Sequence, residues 1–162
     1  METTAATRRV YFHDPEAPRA TVVAPSVFVA ARNGFGRLLL VRRCDSGAWE
    51  LPGGRVEVGE DAVATAVRET AEEAGVKVRI TGLVGLYTDP EHVVRAVDGS
   101  VRQQFVVVFS GRGVEGAPVA DGIETSEAAW VAPRLLDGMD IAAPARGWIA
   151  DALVVGDTPG PP

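Results

Sequence analysis

Glu69, Glu72 and Glu73 fall at i, i+3 and i+4 of a stretch, Asp61 to Ala74, that reads as one helix stopped by Gly75. At about 100° per residue the three carboxylates share one face. Val63, Ala66, Val67, Thr70 and Ala74 share another, centred roughly 120° away, which is expected to pack on a sheet. Like charges at i,i+4 cost about 0.2–0.5 kcal/mol per pair, and no lysine is interspersed to offset them. A solvated acidic face explains three such glutamates as readily as a site does. A divalent cation would relieve the repulsion, because hard cations take oxygen ligands from carboxylates, backbone carbonyls, water and phosphate.

The segments around the helix alternate between strand and turn patterns. Thr21 to Arg32 and Arg37 to Arg43 read as strands joined in a hairpin by Asn33-Gly34 and Gly36. Pro52-Gly53-Gly54 is a rigid turn with accessible backbone just before the helix. Val76 to Thr88 suits one or two strands, Asp89 to Ser100 a polar loop, and Val101 to Ser110, with its run Phe105 to Phe109, a buried strand. Gly111 to Thr125 reads as a loop, Glu127 to Val131 as a short strand and Pro133 to Met139 as a helical turn. Ile141 to Val154 reads as a helix, with Pro144 tolerated near its start. The sum is one α/β (α+β) domain over residues 20–155. Residues 1–19 are expected to be a tail or edge segment, and 156–162, with three prolines, a disordered tail.

Composition narrows the function. A chain of 162 residues with 46% hydrophobic and 23% charged residues is a globular protein of one domain. Its net charge of −6 argues against a nucleic acid polymer as partner, although a bound metal can still bring a small phosphorylated substrate to an acidic protein. One cysteine, Cys44, excludes an internal disulfide, and with only two histidines it argues against structural zinc. The longest apolar run, Val22 to Ala31, is interrupted by Pro25 and Ser26 and too short to span a bilayer. Met1 to Arg9 holds no apolar core of a signal peptide. The expectation is a cytoplasmic protein with no membrane partner.

The spacing Gly54, five residues, Glu60, seven residues, Arg68-Glu69, two residues, Glu72-Glu73, one residue, Gly75 resembles the Nudix box, the signature of the Nudix hydrolase family. All seven fixed residue types are present, a coincidence on the order of one in a million at average composition. Of the two positions that should be apolar, Val76 fits and Thr70 departs, although its methyl group can pack there. Trp49 to Gly54 resembles the usual lead-in, and Glu127 to Val131 the family's final strand. The resemblance covers roughly Thr21 to Leu153 and implies the Nudix fold, a mixed β-sheet sandwiched between helices.

It also implies an activity: hydrolysis of a nucleoside diphosphate linked to another moiety, by attack of water on one phosphorus. Glu69, Glu72 and Glu73 would ligate Mg²⁺ or Mn²⁺ with the Gly53 carbonyl. Arg68 would hold a carboxylate such as Glu60, itself a partner at one remove from the metal. The general base would be Glu69 or a later residue, Glu124 or Glu127. Among arginines, Arg42, Arg43, Arg55, Arg95 and Arg102 are candidates for phosphate, and Tyr87, Phe105 and Phe28 for stacking on a base. His92, in the polar loop, is read as incidental, and Trp49 as packing. The substrates left open are ADP-ribose-like molecules and (deoxy)nucleoside triphosphates. The alternative is a catalytically silent Nudix domain that binds a nucleotide as a regulator, although such domains usually lose the carboxylates kept here. A homodimer is compatible with the resemblance.

Overall fold

The computed structural model describes residues 7–155. Its elements run β1 (Arg9–Phe12), β2 (Val22–Arg32), β3 (Leu38–Arg43), β4 (Trp49–Glu50), β5 (Gly53–Arg55), α1 (Ala62–Ala74), β6 (Lys77–Tyr87), β7 (His92–Arg95), β8 (Val101–Glu115), β9 (Thr125–Val131), a 3₁₀ helix (Pro133–Gly138) and α2 (Ala143–Val155). Residues 1–6 and the tail expected at 156–162 lie outside the described residues. No described helix is long and apolar enough to cross a membrane.

The nine strands form one mixed sheet, with a main order β1-β7-β8-β2-β3-β4. At its centre β2 and β8 pair in parallel from Val22↔Arg102 to Arg32↔Arg112, while the other named pairs are antiparallel. Both faces of the centre are covered, so its strands are apolar on both sides. Val27, Val29 and Ala31 of β2 and Leu39 and Val41 of β3 join Ala66 and Ala74 of α1 in one core. The alternate residues Phe28, Ala30, Leu38 and Leu40 join Ala145, Trp148, Ile149 and Ala152 of α2 in the other. The sheet is thus sandwiched between helices, as the sequence implied.

Helix α1 begins and ends as its sequence dictates. The Asp61 carboxylate accepts a hydrogen bond from the Ala64 N–H at 2.7 Å. Gly75 closes the helix in the left-handed region at φ 68°, and its N–H donates to the Ala71 carbonyl. Of the face expected to pack, Ala66, Thr70 and Ala74 are buried and Val67 packs against the same core, and Val63 alone departs. Thr65, Ala66, Thr70, Glu73 and Ala74 are buried, whereas Val63 is 45% exposed. Glu73, beside that face, lies under the backbone of Gly53, whose N–H donates to it.

Three further expectations are corrected. The hairpin of β2 and β3 is nearly absent, with Arg32↔Leu38 the one register pair. Their facing edges go elsewhere: β5 takes β2 at Ser26–Phe28, and β4 takes β3 at Val41 and Arg42, while β9 runs along the outer edge of β3. The polar loop at Asp89–Ser100 contains a strand, because Val93 and Val94 fit between β1 and β8. The loop expected from Gly111 is strand as far as Glu115, held there by β6. Within residues 1–19, Arg9–Phe12 is the outermost strand on the β7 side.

His92 is buried, 5% exposed, with its ring 5.6 Å from Phe12 and 6.0 Å from Trp148. Burial, with the nearby charge of Arg8, pushes it down from 6.5 to about 4. The folded state therefore resists protonation that the unfolded state accepts. The associated stability is complete above pH 6.5 and is lost as the pH falls towards 4, amounting to about 3 kcal/mol. His92→Phe keeps a ring in place and removes this titration. Denaturant unfolding between pH 7 and pH 4.5 is expected to show a smaller loss of stability in the variant than in the parent protein.

Candidate active site

Arg68 organises the acidic side of α1. Its Nε donates to Glu60 Oε2 at 2.7 Å and its Nη2 to Glu60 Oε1 at 2.8 Å, a two-pronged pair. Its Nη1 donates to Glu69 at 2.9 Å and to Glu72 at 3.2 Å. The hydrogen bonds from Arg68 hold Glu60 down to about 2, and those to Glu60 and Glu69 keep Arg68 above its ordinary value. One guanidinium thus fixes three carboxylates.

Glu73 has no comparable partner. Its side chain is 2% exposed, and Arg43 Nη1 stands 4.0 Å from Oε1. Burial, followed by the charge of Glu69, pushes Glu73 up to about 9. Glu69 is also raised, because its burial outweighs the hydrogen bond from Arg68. A third carboxylate comes from the far side of the site. Asp121 accepts from the N–H groups of Ile123, Glu124 and Thr125 and so fixes the turn that presents Glu124. The Thr125 hydroxyl donates to the Glu73 carbonyl at 2.7 Å, tying that turn to α1. Glu69, Glu73 and Glu124 each offer an oxygen within 4.8 Å of the others. The donor set is all oxygen, converging and short of positive charge, which suits a hard divalent cation.

These carboxylates line a cavity of about 520 Å³ with Arg43, Gly53 and Gly54. Arg43 is part of its wall. Burial works against its charge, but hydrogen bonds to Asp45 and the charge of Glu50 hold it above its ordinary value. Exposed Cys44 lines the same cavity. A neighbouring cavity of about 490 Å³ is lined by Phe12, Phe28, His92 and Trp148. The two share Arg8, Phe28, Arg43 and Gln104, so they form one cleft with a charged end and an aromatic end.

Of the residues singled out in the sequence, Gly53, Arg55, Glu69, Glu73, Arg102 and Glu124 line the charged end. Glu60, Arg68 and Glu72 stand behind it through the Arg68 network, Glu72 with 58% of its side chain exposed. Arg42 and Glu127 do not line it. They pair with each other at 3.1 Å, and Arg42 also donates to the Gly47 carbonyl. The Tyr87 hydroxyl donates to Asp151 of α2 at 2.7 Å, away from the charged end. Phe105 is on the opposite face of β8 from Gln104 and is 38% exposed, and Arg95 lies over the Tyr11 ring. Phe28 lines both cavities, and His92 belongs to the aromatic end rather than to a loop.

Sequence reasoning passed over Arg8, Ser26, Glu50 and Gln104. Glu50, 9% exposed and raised by burial, lines both cavities. Polar residues in otherwise apolar strands were the available signal: Ser26 precedes Phe28 by two, and Gln104 follows Arg102 by two, on the faces that meet in the cleft.

The model of the NUDIX domain matches residues 22–152. The chain is 38% identical over 109 residues to the Bacillus subtilis (strain 168) protein named "Putative 8-oxo-dGTP diphosphatase", a match covering 67% of this chain and 66% of that one. It is 35% identical over 122 residues to a "MutT-like protein" of Streptomyces ambofaciens, covering 67% and 72%. Among solved structures it is similar to a NUDIX hydrolase from Nitrosomonas europaea. The TM-score is 0.71 and the identity 22%, with 87% of this chain and 77% of that one covered.

Two adjacent glycines separate fold from site. A Cβ on Gly54 would lie 2.6 Å from the Glu69 carboxyl carbon, the movable end of a side chain. A Cβ on Gly53 would lie 2.2 Å from the Val27 carbonyl oxygen and 2.7 Å from Phe28 Cα, which are backbone. Gly53→Ala is expected to lose about 1–3 kcal/mol of stability through overpacking. Gly54→Ala is expected to melt within a few degrees of the parent while binding Mn²⁺ at least about tenfold more weakly, because a ligand displaced by about 1 Å is misplaced. Thermal denaturation and Mn²⁺ titration calorimetry check the pair.

Proposed function

The chain belongs to the Nudix hydrolase family, and we propose that it cleaves the diphosphate of a nucleoside diphosphate linked to another moiety, with Mg²⁺ as cofactor and Mn²⁺ as a substitute. One observation carries the reading. Glu69, Glu73 and Glu124 converge in a cavity while Arg68, the nearest cation on α1, is committed to Glu60, Glu69 and Glu72. Glu69 and Glu73 would hold the cation with the Gly53 carbonyl, and Glu72, bonded to Arg68 behind the cavity, would join them only by turning away from Arg68. Such a cation neutralises phosphate oxygens and makes water more acidic.

This chain's own residues supply the rest. Phosphoryl transfer asks a protein mainly for positioning and charge compensation, with no covalent nucleophile needed. Glu124 has 57% of its side chain exposed and stands opposite α1, where it can take the proton of the attacking water as the bond to the leaving phosphate breaks. Arg68 is a positioning residue, since it bonds carboxylates rather than facing the cavity. At the aromatic end Phe28 and Trp148, packed together at a centroid separation of 4.7 Å and nearly buried, form part of an apolar wall along which a nucleobase would lie. The substrates that fit remain ADP-ribose-like molecules and nucleoside triphosphates, oxidised ones included.

The test is turnover of a nucleotide panel in Mg²⁺, with products separated by chromatography. Glu69→Gln and Glu124→Gln are each expected to lower kcat by about 10²–10⁴-fold, and chelation of the metal to abolish turnover. Glu127→Gln, which breaks only the surface pair with Arg42, is expected to stay within about twofold. Full activity in Glu124→Gln would remove it as the base.

A further inference from the structure

The wall of the charged end facing away from α1 presents donors to the cavity and few acceptors. Arg55 comes from β5, Arg102 from β8 and Arg8 from just before β1, and all three line the cavity. The sheet brings them together: β2 pairs with β5 at Ser26↔Arg55 and with β8 at Ala24↔Gln104. Among the described residues the one carboxylate within 4.0 Å of Arg8 is Asp45, at 3.6 Å, and Asp45 is already held by Arg43 at 2.9 Å. Among the described residues, no carboxylate lies within 4.0 Å of Arg55 or Arg102. Asp98, on the neighbouring turn, accepts from Ser100 instead. Arg102 is held below its ordinary value by burial and by the charges of Arg8 and Arg55. Like charges have therefore been gathered with few counter-charges among the described residues: Asp45, shared between Arg8 and Arg43, and the more distant Asp98.

Beneath them lies a buried polar chain. Gln104, 2% exposed, and Ser26, 1% exposed, are bonded to each other, and Arg102 Nε donates to Gln104 Oε1 at 3.3 Å. The Gln104 oxygen is thus occupied on the Arg102 side. Its amide nitrogen donates to Ser26 Oγ at 3.1 Å, and the Ser26 hydroxyl also lies 3.3 Å from the Gln104 oxygen. The buried amide thus holds the Arg102 side chain in place at the cavity wall.

We propose that Arg8, Arg55 and Arg102 cradle a phosphate beyond the two that flank the broken bond, which makes a nucleoside 5′-triphosphate the preferred substrate class. This rests on the hydrolase reading above. A diphosphate esterified at both ends carries two negative charges, and the cation at the carboxylates answers them. A triphosphate carries a further, more highly charged group, which matches three guanidiniums of which Arg8 shares Asp45 with Arg43, while Arg55 and Arg102 have no carboxylate within 4.0 Å among the described residues. Gln104 is the positioning residue, and Arg102 is the specificity-determining one.

Two measurements on the full chain decide the matter. The first is calorimetric titration of inorganic tripolyphosphate in chelator, without metal. The parent protein is expected to bind it, Arg102→Met to bind at least about tenfold more weakly, and Arg102→Lys to recover part of the loss. The second is kinetics in Mg²⁺. Arg102→Met is expected to raise KM for nucleoside triphosphates about tenfold with little change in kcat, and to leave KM for ADP-ribose within about twofold. Gln104→Leu is expected to shift KM in the same direction through Arg102, with an unchanged melting temperature marking the effect as positional. Unchanged tripolyphosphate affinity in Arg102→Met, equal KM shifts on both substrates, or a higher kcat/KM for ADP-ribose in the parent protein would each overturn the cradle. Failure to turn over any nucleotide would instead sink the hydrolase reading, and the tripolyphosphate titration would still decide the cradle.

Discussion

The parallel ladder between β2 and β8 is the constraint on which the rest depends. Eleven residues of each strand stay in register. Both faces of β2 are apolar along the stretch where α1 and α2 cover the sheet. A slip of one residue would send Val27, Val29 and Ala31 to the wrong core. The same ladder sets the site. At its lower end Gln104 meets Ser26, and on the other edge of β2 the Gly53–Arg55 strand is held against Phe28 to Ser26. The loop that approaches the carboxylates and the strand that carries Arg102 are therefore fixed to one another through a single intervening strand.

The ends of α1 were legible because local chemistry decides them: Asp61 caps, Gly75 stops, and the carboxylate spacing is helical. The hairpin and the polar loop were misread because tertiary pairing decided them. Nothing local to Asn33-Gly34 says that β5 and β4 will claim the facing edges of the two strands it joins. Nothing local to His92 says that β1 will cover it. Thr70 looked like a departure from an apolar position, yet it is fully buried, because its hydroxyl donates to the Ala66 carbonyl one turn back at 2.7 Å.

For the site, the box glutamates could be named from spacing, but their different environments could not. Glu72 and Glu73 are neighbours in sequence, and one is exposed beside Arg68 while the other is sealed beneath Gly53. Glu124 and Glu127 looked equivalent beside the last strand. The Asp121 turn aims the first into the cavity, and Arg42 holds the second outside it. Arg8 was out of reach of any local argument, since it sits in a segment whose role depends on pairing with residues more than eighty positions later.

Cys44 has a practical consequence. It is the chain's one cysteine, it is exposed, and it lines the charged end, with its N–H donating to the carbonyl of Glu124. A thiol-reactive fluorophore would therefore attach at a single known point beside the converging carboxylates. The emission of that label can thus report when that end of the cleft fills or empties, without any engineered labelling position.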